Sequence, residues 1–257
     1  MTAAAAPPTS APGSGVGWRA LGALGFLSVL PLPARAHGMP TGVTLACFGP
    51  AGLLLGGVAA GLEVALAPVL PVAVRSAVVL ALVVALSGAM HLDGLMDSAD
   101  GLFGGRTRDR RLEIMRDSRV GGYGMAAGLL VVLVQYAALA SVASQRAVAV
   151  LCAVGLSRGA SALALGVARP ARDEGLASVY SVARRRWAGL AAFAVECAAT
   201  VPLCGWRGVA ACGVALLAVG AVVALFRRRV GGMTGDGFGA VVELSLAGAL
   251  LCLAARP

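Results

Sequence analysis

The sequence predicts an all-α, polytopic membrane bundle of about seven transmembrane helices, plus a short N-terminal interfacial or re-entrant helix. Three observations lead there. Of 257 residues, 59% are hydrophobic and only 13% charged. The mean hydropathy of +0.87 lies well above that of an ordinary soluble domain. Several uninterrupted apolar runs approach or exceed the roughly 20 residues that a helix needs to cross a bilayer.

The elements follow in order. "MTAAAAPPTSAPGSG" has neither the basic start nor the apolar core of a secretory leader, and residues 1–17 read as a disordered tail before one membrane domain over 18–257. "ALGALGFLSVLPLPA" is apolar but short, lies between Arg19 and Arg35, and closes on Pro-Leu-Pro, which makes it the interfacial or re-entrant helix. Spans follow near 42–62, 72–90, 121–143, 147–167, 187–203, 209–226 and 238–254.

Charge placement orients these spans. The sequence has no lysine, so its net charge of +9 comes from arginine alone. With the N-terminus inside, sixteen arginines fall in inner segments and four (Arg75, Arg146, Arg207 and Arg256) in outer ones, with Arg158 inside a span. The positive-inside rule therefore gives seven crossings, N-in and C-out. Cationic loops of this kind are drawn to anionic lipid, and a nucleic-acid partner is discounted. Of the twelve carboxylates, all but Glu63 and Glu196 fall in the inner segments or at their membrane edge, which points to a cytoplasm-facing site.

Six cysteines scattered through apolar segments show no metal-ligand spacing and read as small buried residues. Only Cys204 and Cys212, which flank one short loop, are placed for a disulfide.

The densest polar stretch is "HLDGLMDSADGLFGGRTRDRR" at 91–111. Asp93, Asp97 and Asp100, at i, i+4 and i+7, project from one helical face. Three crowded carboxylates repel unless a cation neutralises them, and hard oxygen ligands without cysteine suit Mg²⁺, with Mn²⁺ as the alternative. In a soluble helix, pairing with the neighbouring arginines would be the favoured explanation of these acids. At the end of a span, ionisable groups are costly and mark function. His91 is either a group supporting the metal or a proton carrier, or else simply bonds to backbone.

A second constellation, "GGMTGDGFGAVVEL", puts Asp236 and Glu243 on one helical face after Gly231, Gly232 and Thr234. Its glycines either let backbone amides approach a phosphate or form a Gly235–Gly239 packing face. In "RLEIMRDSRVGGYG", Arg116, Ser118 and Arg119 suit diphosphate oxygens and Asp117 is a further candidate ligand, while an amphipathic helix resting on headgroups explains the same residues. Arg158, within a span, needs Glu196 or an incoming phosphate as its partner.

Taken in order and spacing, "FLSVLPLP", "HLDGLMDSADGLFGGRTRDRRLEIMRDSRVGGYG", "SRG", "ARDEGL" and "GGMTGDGFGAVVEL" resemble the cobalamin synthase family, the adenosylcobinamide-GDP ribazoletransferases, over residues 18–250. The resemblance implies a multi-pass, Mg²⁺-dependent enzyme of the bacterial cytoplasmic membrane. It would join adenosylcobinamide-GDP to α-ribazole or its 5′-phosphate, releasing GMP, and so complete the nucleotide loop of adenosylcobalamin. The motif carries over onto His91, Asp93, Asp97 and Asp100, onto Arg116, Asp117 and Ser118, onto Arg158, and onto Thr234, Asp236 and Glu243. The expected arrangement has Asp93, Asp97 and Asp100 holding the metal, Asp236 or Glu243 completing its shell, and one carboxylate, Asp100, acting as base. The implied partners are the bilayer and corrinoid and nucleoside substrates, with other nucleotide-loop enzymes and further copies of the chain left open.

Two rivals remain. A CDP-alcohol phosphotransferase of phospholipid synthesis uses similar chemistry, but "DGLMDS" lacks the Ala-Arg pair its pattern needs. A secondary transporter would place its charges near the midplane and show repeated halves, and neither is evident here.

Overall fold

The structure, a computed structural model, describes residues 15–36, 41–172 and 186–256. The first fourteen residues of the expected tail, His37, and Asp173, Glu174, Arg184 and Arg185 lie outside the described residues. The described elements are helices joined by short turns: α1 (Val16–Leu27), α2 (Gly42–Ala46), α3 (Phe48–Leu66), α4 (Val72–Leu86), α5 (Met90–Gly104), α6 (Arg108–Ile114), α7 (Gly122–Ser141), α8 (Arg146–Val167), α9 (Arg186–Cys204), α10 (Trp206–Val230) and α11 (Gly235–Ala254). Six stretches are long and apolar enough to cross a membrane, seven if the bent pair α4 and α5 counts as one. The α1 helix is apolar but too short to cross, as expected of the N-terminal segment.

Two helices form the centre. In α8, 89% of the apolar window is buried, and in α11 72%, against 28% in each of α7, α9 and α10. The outer helices turn leucines and valines such as Leu129, Leu130, Leu190, Leu216 and Leu217 outward, as a lipid-facing surface requires. Close packing at the centre depends on small residues. Gly49 and Gly56 of α3 lie against backbone oxygens of Ala192 and Leu151, where an added Cβ would stand 2.6 Å away. Backbones can approach that closely only where side chains are absent.

The expected span over 72–90 is not one straight helix. It stops at Leu86, and α5 sets off at 84° to α4. Gly88 and Ala89 take left-handed φ values of +58° and +60°. The Val29 N–H, arriving from α1, donates to the Leu86 carbonyl at 2.8 Å and so fixes where α4 ends. From His91 onward the chain is too polar for hydrocarbon, and the bend carries it across the arginine-rich end of the bundle.

At the opposite end, three charges that the sequence places away from the inner segments converge. Glu63 Oε1 meets Arg75 Nε at 2.9 Å and Arg146 Nε at 2.6 Å, all three residues being buried. Arg146 also donates to Ser76 Oγ at 2.8 Å and to the Leu139 carbonyl. This group ties together the ends of α3, α4, α7 and α8.

All six cysteines are free. Cys204 lies 3.8 Å from Cys152 of α8, and Cys212 meets Cys197 instead, so the pairing expected across the short loop is not made. The reason is that α9 and α10 turn these two side chains toward different neighbours.

Candidate active site

The site forms where α5 crosses α11. Gly94 and Gly239 face each other at the crossing: a Cβ on Gly94 would come within 2.8 Å of the Asp236 carbonyl, and one on Gly239 within 2.7 Å of the His91 carbonyl. Gly239 therefore serves the packing alternative offered for its glycine run. The crossing brings Asp93 and His91 of α5 beside Asp236 of α11 around a cavity of about 100 Å³. Phe26, Met90, Leu165 and Phe238 supply its apolar wall. No polar pattern pointed to these four. A lone aromatic in an apolar run carries no signal until the fold places it.

The carboxylates are graded by burial. Asp93 is exposed, Asp97 half-buried and Asp100 buried. Asp93, Asp236 and Asp100 all lie close enough to Asp97 to repel its charge. The spacing at i, i+4 and i+7 thus does bring three acids together, and α11 adds a fourth. Among the described residues, however, no three acids, histidines or cysteines stand arranged to hold a metal ion.

Asp100 has specific partners. Its Oδ2 accepts the Gly121 N–H at 2.7 Å and its Oδ1 the Gly124 N–H at 2.8 Å. These are first-turn donors of α7, which no intrahelical carbonyl can satisfy. A Cβ at Gly124 would stand 2.3 Å from Asp100 Oδ2, so the glycines of "GGYG" clear a seat for this carboxylate. Asp236 is held in a similar way: the hydroxyl of Thr234, at the N-cap position of α11, donates to its Oδ2 at 3.0 Å.

Glu243 is not part of this cluster. It lies two turns along α11 from Asp236, about 10 Å away by helix rise, and is 4% exposed. Its Oε2 accepts from Gln135 Nε2 of α7 at 2.7 Å. Seven residues put the two acids on one helical face, but the axial distance separates them. Glu243 belongs instead to a buried polar group around Arg158, which also feels the charge of Glu196. Arg158 itself donates to Ser157 Oγ at 2.8 Å. Both oxygens of Glu196 are buried without a hydrogen-bond partner among the described residues. Glu196 sits against Gly155 and Gly159 of α8 and Gly52 of α3, which leave room for its side chain. His91 connects the two regions, since it lines the cavity and lies within reach of the Arg158 charge.

The segment after α6 is more local than expected. Asp117 accepts from Arg119 Nη2 at 2.6 Å, from Arg119 Nε at 3.0 Å and from the Arg119 N–H at 3.1 Å. This hydrogen bonding to Arg119 holds the Asp117 carboxyl down at about 2. The side chains of Ser118 and Arg119 are exposed, away from the cavity lining. Gly231, with φ +86°, closes α10 in the left-handed conformation glycine favours. Gly232 packs on the carbonyls of Arg169 and Pro170, beside the bridge in which Met233 N–H donates to Arg169 and Ala171 N–H to Met233, each at 2.8 Å. That bridge brings Arg172 to the site, a residue the sequence marked only as an inner arginine. Arg172 and Asp236 attract each other.

Comparison with known proteins identifies the chain's relatives. A family model described as cobalamin-5-phosphate synthase matches residues 19–254. The chain is 36% identical over 231 residues to a Klebsiella pneumoniae protein named adenosylcobinamide-GDP ribazoletransferase, covering 86% of this chain and 93% of that one. It is 39% identical over 236 residues, with the same coverage, to an Escherichia coli protein of the same name. No solved structure matches. A match spanning both acidic constellations and nearly the whole chain establishes that the protein belongs to the cobalamin-5-phosphate synthase family.

Proposed function

We propose that the protein is a membrane transferase that joins adenosylcobinamide-GDP to α-ribazole, or to its 5′-phosphate, and releases GMP in the nucleotide-loop step of cobalamin biosynthesis. Family membership supports the reaction. The structural observation that carries the reading is the convergence of Asp93 and Asp236 on one cavity, with Asp97 within their electrostatic reach and Arg172 beside Asp236.

The donor set suits Mg²⁺. It is all oxygen, its charges crowd one another, and Mg²⁺ commonly binds through one or two carboxylates completed by substrate phosphate and water, so no preformed group of three is needed. Asp93 and Asp236, which share the cavity, would hold it, and there it would offset diphosphate charge as the bond to the leaving group breaks. Arg116 and Arg172 meet the negative charge of the departing nucleotide.

Asp100, with both oxygens on backbone N–H groups, positions α5 against α7. Among the described residues Asp97 has no such anchor, and it takes the proton from the attacking ribazole hydroxyl. That oxygen bonds to the phosphorus nearer cobinamide, the bond from that phosphorus to the bridging oxygen breaks, and GMP leaves with the electron pair. Thr234 orients Asp236, and His91 carries the cavity's link to the Arg158 group. We place the protein in the bacterial cytoplasmic membrane with its arginine-rich end toward the cytoplasm, on the sixteen-to-four distribution of arginines.

The test is GMP release and corrinoid chromatography with purified protein, adenosylcobinamide-GDP and α-ribazole, with Mg²⁺ or with EDTA. Metal-dependent GMP release with a cobalamin product is expected. CMP release from a CDP-lipid and an alcohol, without corrinoid turnover, would transfer the site to phospholipid synthesis.

A further inference from the structure

A second cavity, of about 490 Å³, opens between α6 and the segment that follows α8. It shares no lining residue with the cavity at His91 and Asp93. Its size falls within the roughly 300–1,000 Å³ of small-molecule sites. Arg108, Arg116 and Arg172 line it together with Asp109 and Glu113.

Its charge is arranged rather than scattered. Arg108 donates through Nε to the Val230 carbonyl at 3.0 Å and through Nη2 to the Ala171 carbonyl at 2.8 Å. Arg172 donates through Nη2 to the Leu112 carbonyl at 2.6 Å. Neutral carbonyls fix one edge of each guanidinium without cancelling its charge. The acids in the cleft are already engaged, Asp109 with Arg108 at 3.2 Å and Glu113 with Arg110 at 2.8 Å. Among the described residues, Arg116 and Arg172 take part in no ion pair, and the buried Nε of Arg172 has no hydrogen-bond partner. Arg172, held through one nitrogen and with a donor left free, and the unpaired Arg116 beside it supply what a phosphate monoester requires.

The cleft also lies within electrostatic reach of the carboxylate cluster. Arg172 feels the charges of Arg116, Asp236 and Arg108, and Asp236 feels those of Arg172 and Asp93. One carboxylate region is therefore served by two separate cavities, a small one with an apolar wall and a larger basic one. Displacement at phosphorus needs two such places, because the entering and departing oxygens lie roughly in line across it.

We propose that the cleft walled by Arg108, Arg116 and Arg172 holds the guanylate half of the activated substrate and retains it as GMP after transfer, an assignment that rests on the reaction proposed above. The acceptor approaches from the cavity lined by Phe26, Phe238 and Asp93. Asp109 and Glu113 are each paired through one carboxylate oxygen, which leaves the other to accept from the N1–H and 2-amino donors of guanine.

The test is calorimetric titration of GMP, guanosine and inorganic phosphate into the full-length protein in nanodiscs of phosphatidylcholine, and of phosphatidylcholine with phosphatidylglycerol. Turnover is measured on the same samples. GMP is expected to bind well ahead of guanosine. Arg116→Ala, an exposed change that leaves the fold alone, and Arg172→Lys are each expected to weaken GMP at least tenfold. Both should raise the KM for adenosylcobinamide-GDP in step and leave that for α-ribazole unchanged. Undiminished GMP binding in both variants would overturn the assignment, as would variants that lose only phosphatidylglycerol retention. Wild-type protein that turns over with GMP binding indifferent to these arginines rejects the cleft and keeps the reaction. Arginine-dependent GMP binding without any cobalamin product keeps the cleft and rejects the reaction.

Discussion

The carboxylate of Asp100 is held at 2.7 Å by the backbone N–H of Gly121. With the matching bond from Gly124, this clamps the acidic helix α5 onto the first turn of α7. Replacing Asp100 with asparagine leaves one amide oxygen to serve two donors. An unsatisfied buried N–H costs about 1–3 kcal/mol. Asp100→Asn is therefore expected to lower the melting temperature in detergent as well as kcat, and thermal unfolding followed beside GMP release checks both. Full stability with lost turnover would instead make Asp100 part of the chemistry.

Asp97 is expected to behave in the opposite way. It has no backbone anchor and is crowded by like charges, so Asp97→Asn relieves repulsion. The variant should melt no lower than wild type and yet lose about 100-fold or more in turnover, the scale of a general-base contribution. A variant that retains full Mg²⁺-dependent activity would remove Asp97 from the mechanism.

Glu63 sits between two buried arginines far from the site. Glu63→Gln strands both cations, and breaking a buried pair typically costs about 3–5 kcal/mol. Protein yield and melting temperature should fall steeply, while the KM of whatever folds stays near wild type. Unchanged melting would show that the arginines find other partners.

Ala89 holds a left-handed φ of +60° at the bend. Glycine adopts that conformation without steric cost, so Ala89→Gly should be neutral or stabilising by up to about 1 kcal/mol, whereas Gly88→Val should be destabilising by more than this. Thermal melts of the two variants side by side decide the matter.

The crossings were legible because hydropathy is a sum over many residues and tolerates local surprises. The bend was not, since 72–90 reads as one mostly apolar run in which only Ser87 and Gly88 hint at a turn. The acids at 93, 97 and 100 were found because their grouping is local to one helix. The partners of Asp100 lie 21 and 24 residues further on and depend on how α7 docks. Asp236 and Glu243 mark the limit of helical-face reasoning, which fixes direction but not depth. Gln135, a lone amide in an apolar span, was a signal available and missed: such a group needs a partner, and here it has Glu243.

The shortness of α4 has a mechanical outcome. Its 15 residues reach only about 22 Å, against a hydrocarbon thickness of about 30 Å. Hydrophobic mismatch of this size pulls the adjoining leaflet inward or draws water and headgroups down to Gly88. A bilayer around the protein would therefore thin beside α1 and α4, toward the acidic shelf formed by α5. A bulky amphiphile too polar for the hydrocarbon can settle in that hollow with its polar part level with Asp93.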